Sequence, residues 1–187
     1  MPSILSHAIV ATAIGKVAQP QHPPWWYWAL GAAVSAVPDL DVIGFHFGIH
    51  YGDFMGHRGF THSLFFAALL AALVTLALRD HEQVPAGLLF FYLFLATASH
   101  GLFDAMTNGG LGVAFFSPFS NARYFLPFRP IKVSPIGVSR FFSPRGVAVV
   151  RSEALWLWLP SAAIFLASTL VRKRRRQGHH VPDEHTI

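Results

Sequence analysis

Seven side chains able to hold a metal ion, His7, Asp39, Asp41, His57, His62, His100 and Asp104, are distributed among segments apolar enough to lie in a bilayer. An ionisable group at membrane depth costs roughly 2.5 to 3.5 kcal/mol on insertion scales, so a chain that keeps several there must pair or coordinate them. Aspartate beside histidine, in a chain without cysteine, suits an ion served by nitrogen and oxygen: zinc first, with manganese or iron as alternatives. Any fold must bring these residues together while turning apolar surface to lipid.

Composition agrees with that constraint. Of 187 residues, 53% are hydrophobic and 12% charged, and the mean hydropathy is +0.44, which fits a bundle of membrane helices better than a soluble globule. One domain, residues 1–171, is expected. The net charge of +5 is interleaved with long apolar runs, a pattern that sets membrane orientation or meets anionic headgroups, and no nucleic-acid partner is expected. Thiolate zinc sites and disulfides are excluded. Met1 to Gln19 lacks a basic leader and a cleavage signal, so it reads as retained structure.

Along the chain, Ile4 to Ala18 predicts a first helix capped by Ser3 or Ser6 and closed by the prolines between Gln19 and Pro24. Trp25, Trp26, Tyr27 and Trp28 read as an interfacial belt, and Ala29 to Val37 continues until Pro38 breaks the helix beside Asp39 and Asp41. A glycine- and histidine-rich connection spans Gly44 to Gly59. Ser63 to Leu78 and Pro85 to Met106 predict a helical hairpin turned by Arg79 to Gln83. Thr107 to Ser152, rich in Gly, Pro, Phe and Arg, reads as a long loop or lid. Ala154 to Val171 is a last span, Arg172 to Arg176 follow, and the tail to Ile187 reads as disordered. The fold class is therefore all-α, a polytopic bundle of about five helices.

In an up-down-up-down bundle, the start of the first helix, the end of the second, the start of the third and the end of the fourth share one side. Those four ends carry His7, Asp39 with Asp41, His57 with His62, and His100 with Asp104. His100 and Asp104, four apart, share a helix face. Singly, each has an ordinary reading: an ion pair for His100 and Asp104, a capped turn for Pro38 to Asp41. Scatter would populate both ends of the bundle, as His22 and His81 do at the far end and His179, His180 and His185 do in the tail. His46 and His50, in the glycine-rich connection, rank below the seven.

The stretches Pro38-Asp39-Leu40-Asp41, His57-Arg58-Gly59-Phe60-Thr61-His62-Ser63 and Ser99-His100 with Asp104-Ala105-Met106-Thr107 resemble the signature of the YdjM-type family of membrane-bound metal-dependent hydrolases, some of them LexA-regulated. The resemblance runs from about His7 to Pro160 and implies an inner-membrane protein with a metal hydrolase fold. A more distant similarity, carried by His7-Ala8-Ile9-Val10 and the His100 to Asp104 pair, is to zinc-dependent phospholipases C and single-strand nucleases, and implies phosphodiester hydrolysis.

Seven donors exceed what one tetrahedral ion uses, so two ions, or one ion with bracing partners, are expected. Asp39 or Asp41 bridging two ions about 3.5 to 4 Å apart would clamp a phosphate, and Asp41 left outside coordination would act as general base. Arg58 is the candidate phosphate contact. Arg123, Arg129, Lys132, Arg140, Arg145 and Arg151 are further cations in the loop, whose Phe115, Phe116, Phe119, Tyr124, Phe125, Phe128, Phe141 and Phe142 would dip into the interface or form a small core. The expected function is hydrolysis of a phosphoester of a membrane lipid or lipid-linked molecule, with non-enzymatic metal binding or transport as the alternative. Seven basic residues fall on each side of the bundle, but the dense run Arg172 to Arg176 directly follows a span, which places it in the cytoplasm and the site on the outer face.

Overall fold

The computed structural model describes residues 1–81, 83–134 and 143–178. Its helices are α1 (Ile4–Ala18), α2 (Trp25–Ala36), α3 (Leu64–Ala77), α4 (Ala86–Ala105), α5 (Pro144–Glu153) and α6 (Leu159–Gly178). A π-helical turn, Ala154–Trp158, joins α5 to α6, so the two form one rod. Among the described residues there is no strand, only the isolated bridges Thr107 to Ile131 and Val113 to Tyr124. Five helical rods make an all-α protein, as expected. Three segments are long and apolar enough to cross a membrane: Trp25–Phe47, Ala86–Ala105 and Pro144–Arg175. At 15 and 14 residues, α1 and α3 rise only about 21 to 23 Å and fall short of a hydrocarbon core of roughly 30 Å.

Helix α4 is the centre of the bundle, packing on α1, α2 and α3, while α6 packs on α1. Its Tyr92 ring stacks on Tyr27 with centroids 4.4 Å apart, and both side chains are fully buried. Only glycine fits opposite them: a Cβ on Gly31 would collide with the Tyr92 hydroxyl. Tyr27 thus leaves the expected aromatic belt for the core, where its hydroxyl donates to the Gly15 carbonyl at 3.1 Å, whereas Trp25 stays 79% exposed. The belt reading failed at Tyr27 because a helix rotates successive residues by about 100°, turning one of the four inward.

Three boundaries differ from expectation. Pro38 does not end the second helical segment, because the chain narrows there into a 3₁₀ helix, Val37–Phe47, whose first turn needs no N–H from proline. The long loop ends at Ser143: that residue caps α5, accepting from the Gly146 N–H at 3.3 Å, and Pro144 holds its first turn. Helix α6 carries on through Arg172–Arg176 to Gly178, where a disordered tail was expected from Arg172. Arg140, Phe141, Phe142, His179, His180 and His185 lie outside the described residues.

The bundle path is fixed at both ends. Arg172 donates from Nη2 to the carbonyls of Val17 and Gln19, each at 2.9 Å, which sets the basic run against the C-terminal end of α1. His7 is at the other end of that helix. The loop after α4 is stitched over the site end: Leu126 N–H donates to the Ala105 carbonyl, Ala114 N–H to Arg58, and Leu64 N–H to Phe115.

Candidate metal centre

All seven residues chosen from the sequence meet at the expected end of the bundle, in two groups that share His62. Asp39, His62, His100 and Asp104 form one, with donor atoms all within 4.8 Å of one another, and Asp41, His57 and His62 form the other. His7 lies against the first group: its ring stacks on His100 at 3.6 Å between centroids, and its Nε2 is 4.0 Å from Asp104 Oδ1. These side chains are buried. His46 and His50 stay outside, exposed, and His50 pairs with Asp53 at 3.6 Å.

Local sequence explains how each donor is aimed. The Ser35 carbonyl sits where α2 turns into the 3₁₀ helix, and Pro38, three residues on, has no N–H to give it. That carbonyl instead lies 2.7 Å from His100 Nδ1. The bond puts the proton on Nδ1 and leaves Nε2, 3.2 Å from Asp39 Oδ1, with a free lone pair. Gly101, the next residue, lets the His62 backbone approach α4, since a Cβ there would fall 2.7 Å from the His62 carbonyl. Ser63 then starts α3 by accepting from the Phe66 N–H at 3.0 Å.

The two groups differ in how far they are satisfied. Asp41 is fully engaged: Oδ1 lies 2.7 Å from His57 Nδ1, and Oδ2 accepts from Thr61 Oγ1 at 2.8 Å and from the Arg58 N–H at 3.2 Å, with His62 Nδ1 also 3.2 Å away. In the first group, both oxygens of Asp39 and of Asp104 and the Nε2 atoms of His62 and His100 are buried without a hydrogen bond, as are both ring nitrogens of His7. Buried polar atoms are rarely left so, and several orphaned donors turned on one point are what an ion requires. The donor set of imidazole nitrogen and carboxylate oxygen fits zinc, manganese or iron. Asp41 thus holds His57 and His62 from the side away from the first group, while its own carboxylate, His57 and His62 make up the second set of atoms close enough to share an ion.

Arg58 also departs from expectation. It is fully buried in a left-handed conformation, φ 64°. Nη1 donates to the Gly109 carbonyl at 2.9 Å, Nη2 to Thr107 Oγ1 at 3.0 Å, and Nε is 3.0 Å from Asp104 Oδ2. With both Nη atoms donating and Nε at ion-pair distance from Asp104, the buried guanidinium positions that carboxylate. Arg123 is spent as well, donating to the carbonyls of His57, Tyr51 and Asp53, and Arg129 lies over the Phe125 ring.

Sequence reasoning missed Glu153. Its carboxylate is fully buried and accepts from the Ser3 N–H at 2.7 Å, Ser3 Oγ at 2.5 Å and Ser6 Oγ at 2.6 Å. Trp158 Nε1 donates to the same Ser6 hydroxyl at 2.7 Å. Residues five apart lie about 140° apart on an α-helix, and the wider π turn between them brings both onto α1, one residue before His7. The signal was present in the sequence: Glu153 is the only acid between Pro144 and Gly178.

Burial opposes a charge on His62, but the carboxylates of Asp104, Asp39 and Asp41, close around its ring at 3.4, 3.7 and 3.2 Å, outweigh it and hold its pKa well above the usual histidine range. An ion must displace that proton to use Nε2, so affinity is greatest above the raised pKa and declines as pH falls. The apparent Kd for zinc is expected to rise about tenfold per unit of acidification over the pH range below that raised pKa, with about one proton released per ion. Competition titration against a chromophoric chelator, with a pH indicator, checks this; an affinity flat across the range would mean that His62 does not ligate.

Fold and site together define a helical membrane protein that encloses a cluster of histidine and aspartate at one end of its bundle. Residues 1–176 match the YdjM inner membrane protein family, and the chain belongs to that family. It is similar to the inner membrane protein YbcI of Escherichia coli (strain K12), 42% identical over 163 residues, which cover 86% of this chain and 92% of the relative. No solved structure matches. Family and spans together make this an inner-membrane protein.

Proposed function

We propose that the protein is a membrane-bound metal-dependent hydrolase acting on a phosphoester of a lipid or lipid-linked molecule, with one divalent ion, zinc in the first place, held by Asp39, His62, His100 and Asp104 and flanked by His7. The observation that carries the reading is the set of buried, hydrogen-bond-free donor atoms facing one another while Ser35, Asp41 and Arg58 brace their owners from outside. A bound ion would supply Lewis acidity and neutralise charge developing on a phosphoryl oxygen. Asp41 fixes the His57 tautomer by holding the proton at Nδ1, which makes His57 the group best placed to take up and return a proton. Arg58 keeps Asp104 oriented.

A non-enzymatic metal-binding or transporting protein remains the second reading, favoured by how completely the donors are enclosed. A permeation path would need polar residues along the spans, and α3 offers only Thr75. Zinc-loaded protein in detergent is expected to cleave a phosphodiester or phosphomonoester and to lose that activity with chelator. Cleavage that survives chelation, or stoichiometric metal with no cleavage in a broad phosphoester and ester screen, would rule out the hydrolase.

The same reading puts the site on the outer face and Arg172–Arg176 in the cytoplasm. In intact cells a membrane-impermeant thiol reagent is expected to label Gly109→Cys and spare Gln177→Cys, a clean test in a chain without cysteine. The opposite pattern moves the chemistry to the cytoplasm.

A further inference from the structure

Beside the metal centre lies a second feature that the proposed reaction does not use, a cavity of about 870 Å³ between α1, α4 and the α5–α6 rod. That volume is in the range of small-molecule sites. Its walls are Val10 and Ile14 of α1, Phe94 and Leu102 of α4, and Trp156 and Ile164 of the last rod, with two serine hydroxyls and the Trp156 indole N–H as the polar side-chain groups among otherwise apolar lining residues. One of the hydroxyls, that of Ser99, already gives its proton to the Ala96 carbonyl at 2.9 Å. Leu95, Leu102, Trp156 and Ile164 are each 39 to 47% exposed, so the cavity is a groove reached from the side, where the surroundings are lipid.

We infer that this groove seats the hydrocarbon chain of a membrane lipid and presents its head group toward the histidine and aspartate centre. Position is the first argument. The lining residues interleave in sequence with the donors: Val10 is one turn after His7, Phe103 directly precedes Asp104, and Leu64 is two residues after His62. Leu64 and Phe115, joined by a backbone hydrogen bond of 3.0 Å, close the end of the groove nearest the centre. Length is the second. From Phe94 to Phe103 the α4 wall rises roughly 14 Å, and Val10 to Ala18 and Trp156 to Ile164 rise about 12 Å each. That is close to half of a hydrocarbon core of about 30 Å, the depth of the chain of a lipid drawn from the leaflet on the site side. A docked helix from another protein would be expected to follow the span rather than stop at mid-bilayer. The head-group half of the inference rests on the proposed phosphoesterase, and the chain-binding half does not.

Binding is read without turnover. Detergent-purified full-length protein is incubated with palmitoyl-oleoyl phosphatidylglycerol and weighed by native mass spectrometry, beside Ala98→Trp, which fills the groove, and Leu73→Trp, which adds the same ring to an exposed position on α3. Wild type and Leu73→Trp are expected to retain one phospholipid per chain, and Ala98→Trp to lose at least tenfold at unchanged metal content. Should Ala98→Trp fail to hold metal, Ile164→Trp on the opposing wall reads the same loss. Equal retention in all variants, or none in wild type, overturns the inference. So does a wild-type dimer that the groove-filling variant turns to monomer, which would give the groove to a second copy. Lipid retention without phosphoester cleavage would remove the proposed reaction and leave chain binding standing; cleavage of a water-soluble phosphodiester with lipid retention identical in every variant would do the reverse.

Discussion

Replacing His100 by alanine is expected to weaken zinc or manganese binding by at least about 100-fold. The residue does three things at once. Its Nδ1 is tied to the Ser35 carbonyl, its Nε2 faces Asp39 Oδ1 at 3.2 Å, and its ring carries His7 at stacking distance. Alanine removes a donor, takes away the imidazole nitrogen 3.2 Å from Asp39 Oδ1, and opens a void beside a second histidine. His46→Ala, at an exposed position on the same side of the bundle, is expected to bind metal as wild type does. Metal content after gel filtration, with competition against a chelator of known affinity, decides the matter; unchanged affinity in His100→Ala would remove this residue, and with it the bracing scheme, from the site.

Arg58→Ala is expected to cost about 3 to 5 kcal/mol of stability, because it leaves the buried Asp104 carboxylate without its nearest cation. The left-handed backbone at φ 64° burdens wild type and Arg58→Ala alike, since both residues carry a Cβ, and adds nothing to the difference. Arg58→Lys keeps the charge but cannot reach Asp104, Thr107 and Gly109 together, and should fall between the two. Denaturant unfolding in detergent measures all three proteins. If Arg58→Ala unfolds as wild type does and loses only phosphoester cleavage, the guanidinium contacts substrate after all, as its place in the His57 to Ser63 stretch first suggested.

The convergence of the seven residues was legible because it needs only helix order and antiparallel packing, both of which follow from apolar runs and short turns. The roles within the cluster were not legible. Whether Asp41 or Asp39 faces the centre depends on the pitch of Val37–Phe47, and a proline that looks like a stop also begins a 3₁₀ helix. Arg58 looked available because sequence shows its charge and not Thr107 and Gly109, which reach it from a loop some fifty residues away. Glu153 was passed over between a loop read as ending at Ser152 and a span read as starting at Ala154, although Ser143 and Pro144 together spell a helix start. Tyr27 was grouped with three tryptophans by kind, when rotation around α2 decides which of the four turns to Tyr92.

The central claim is that one ion is held by two imidazoles and two carboxylates from three separate segments, Val37–Phe47, Phe60–His62 and α4. X-ray absorption spectroscopy of zinc-loaded, detergent-purified protein tests it most directly, since imidazole rings give a characteristic outer-shell scattering and the chain has no cysteine to confuse it. The account predicts a stoichiometric ion with nitrogen and oxygen neighbours at about 2.0 to 2.2 Å and scattering from at least two imidazoles, one of which disappears in His100→Ala. A shell of oxygen alone, or the same spectrum in wild type and His100→Ala, would contradict it.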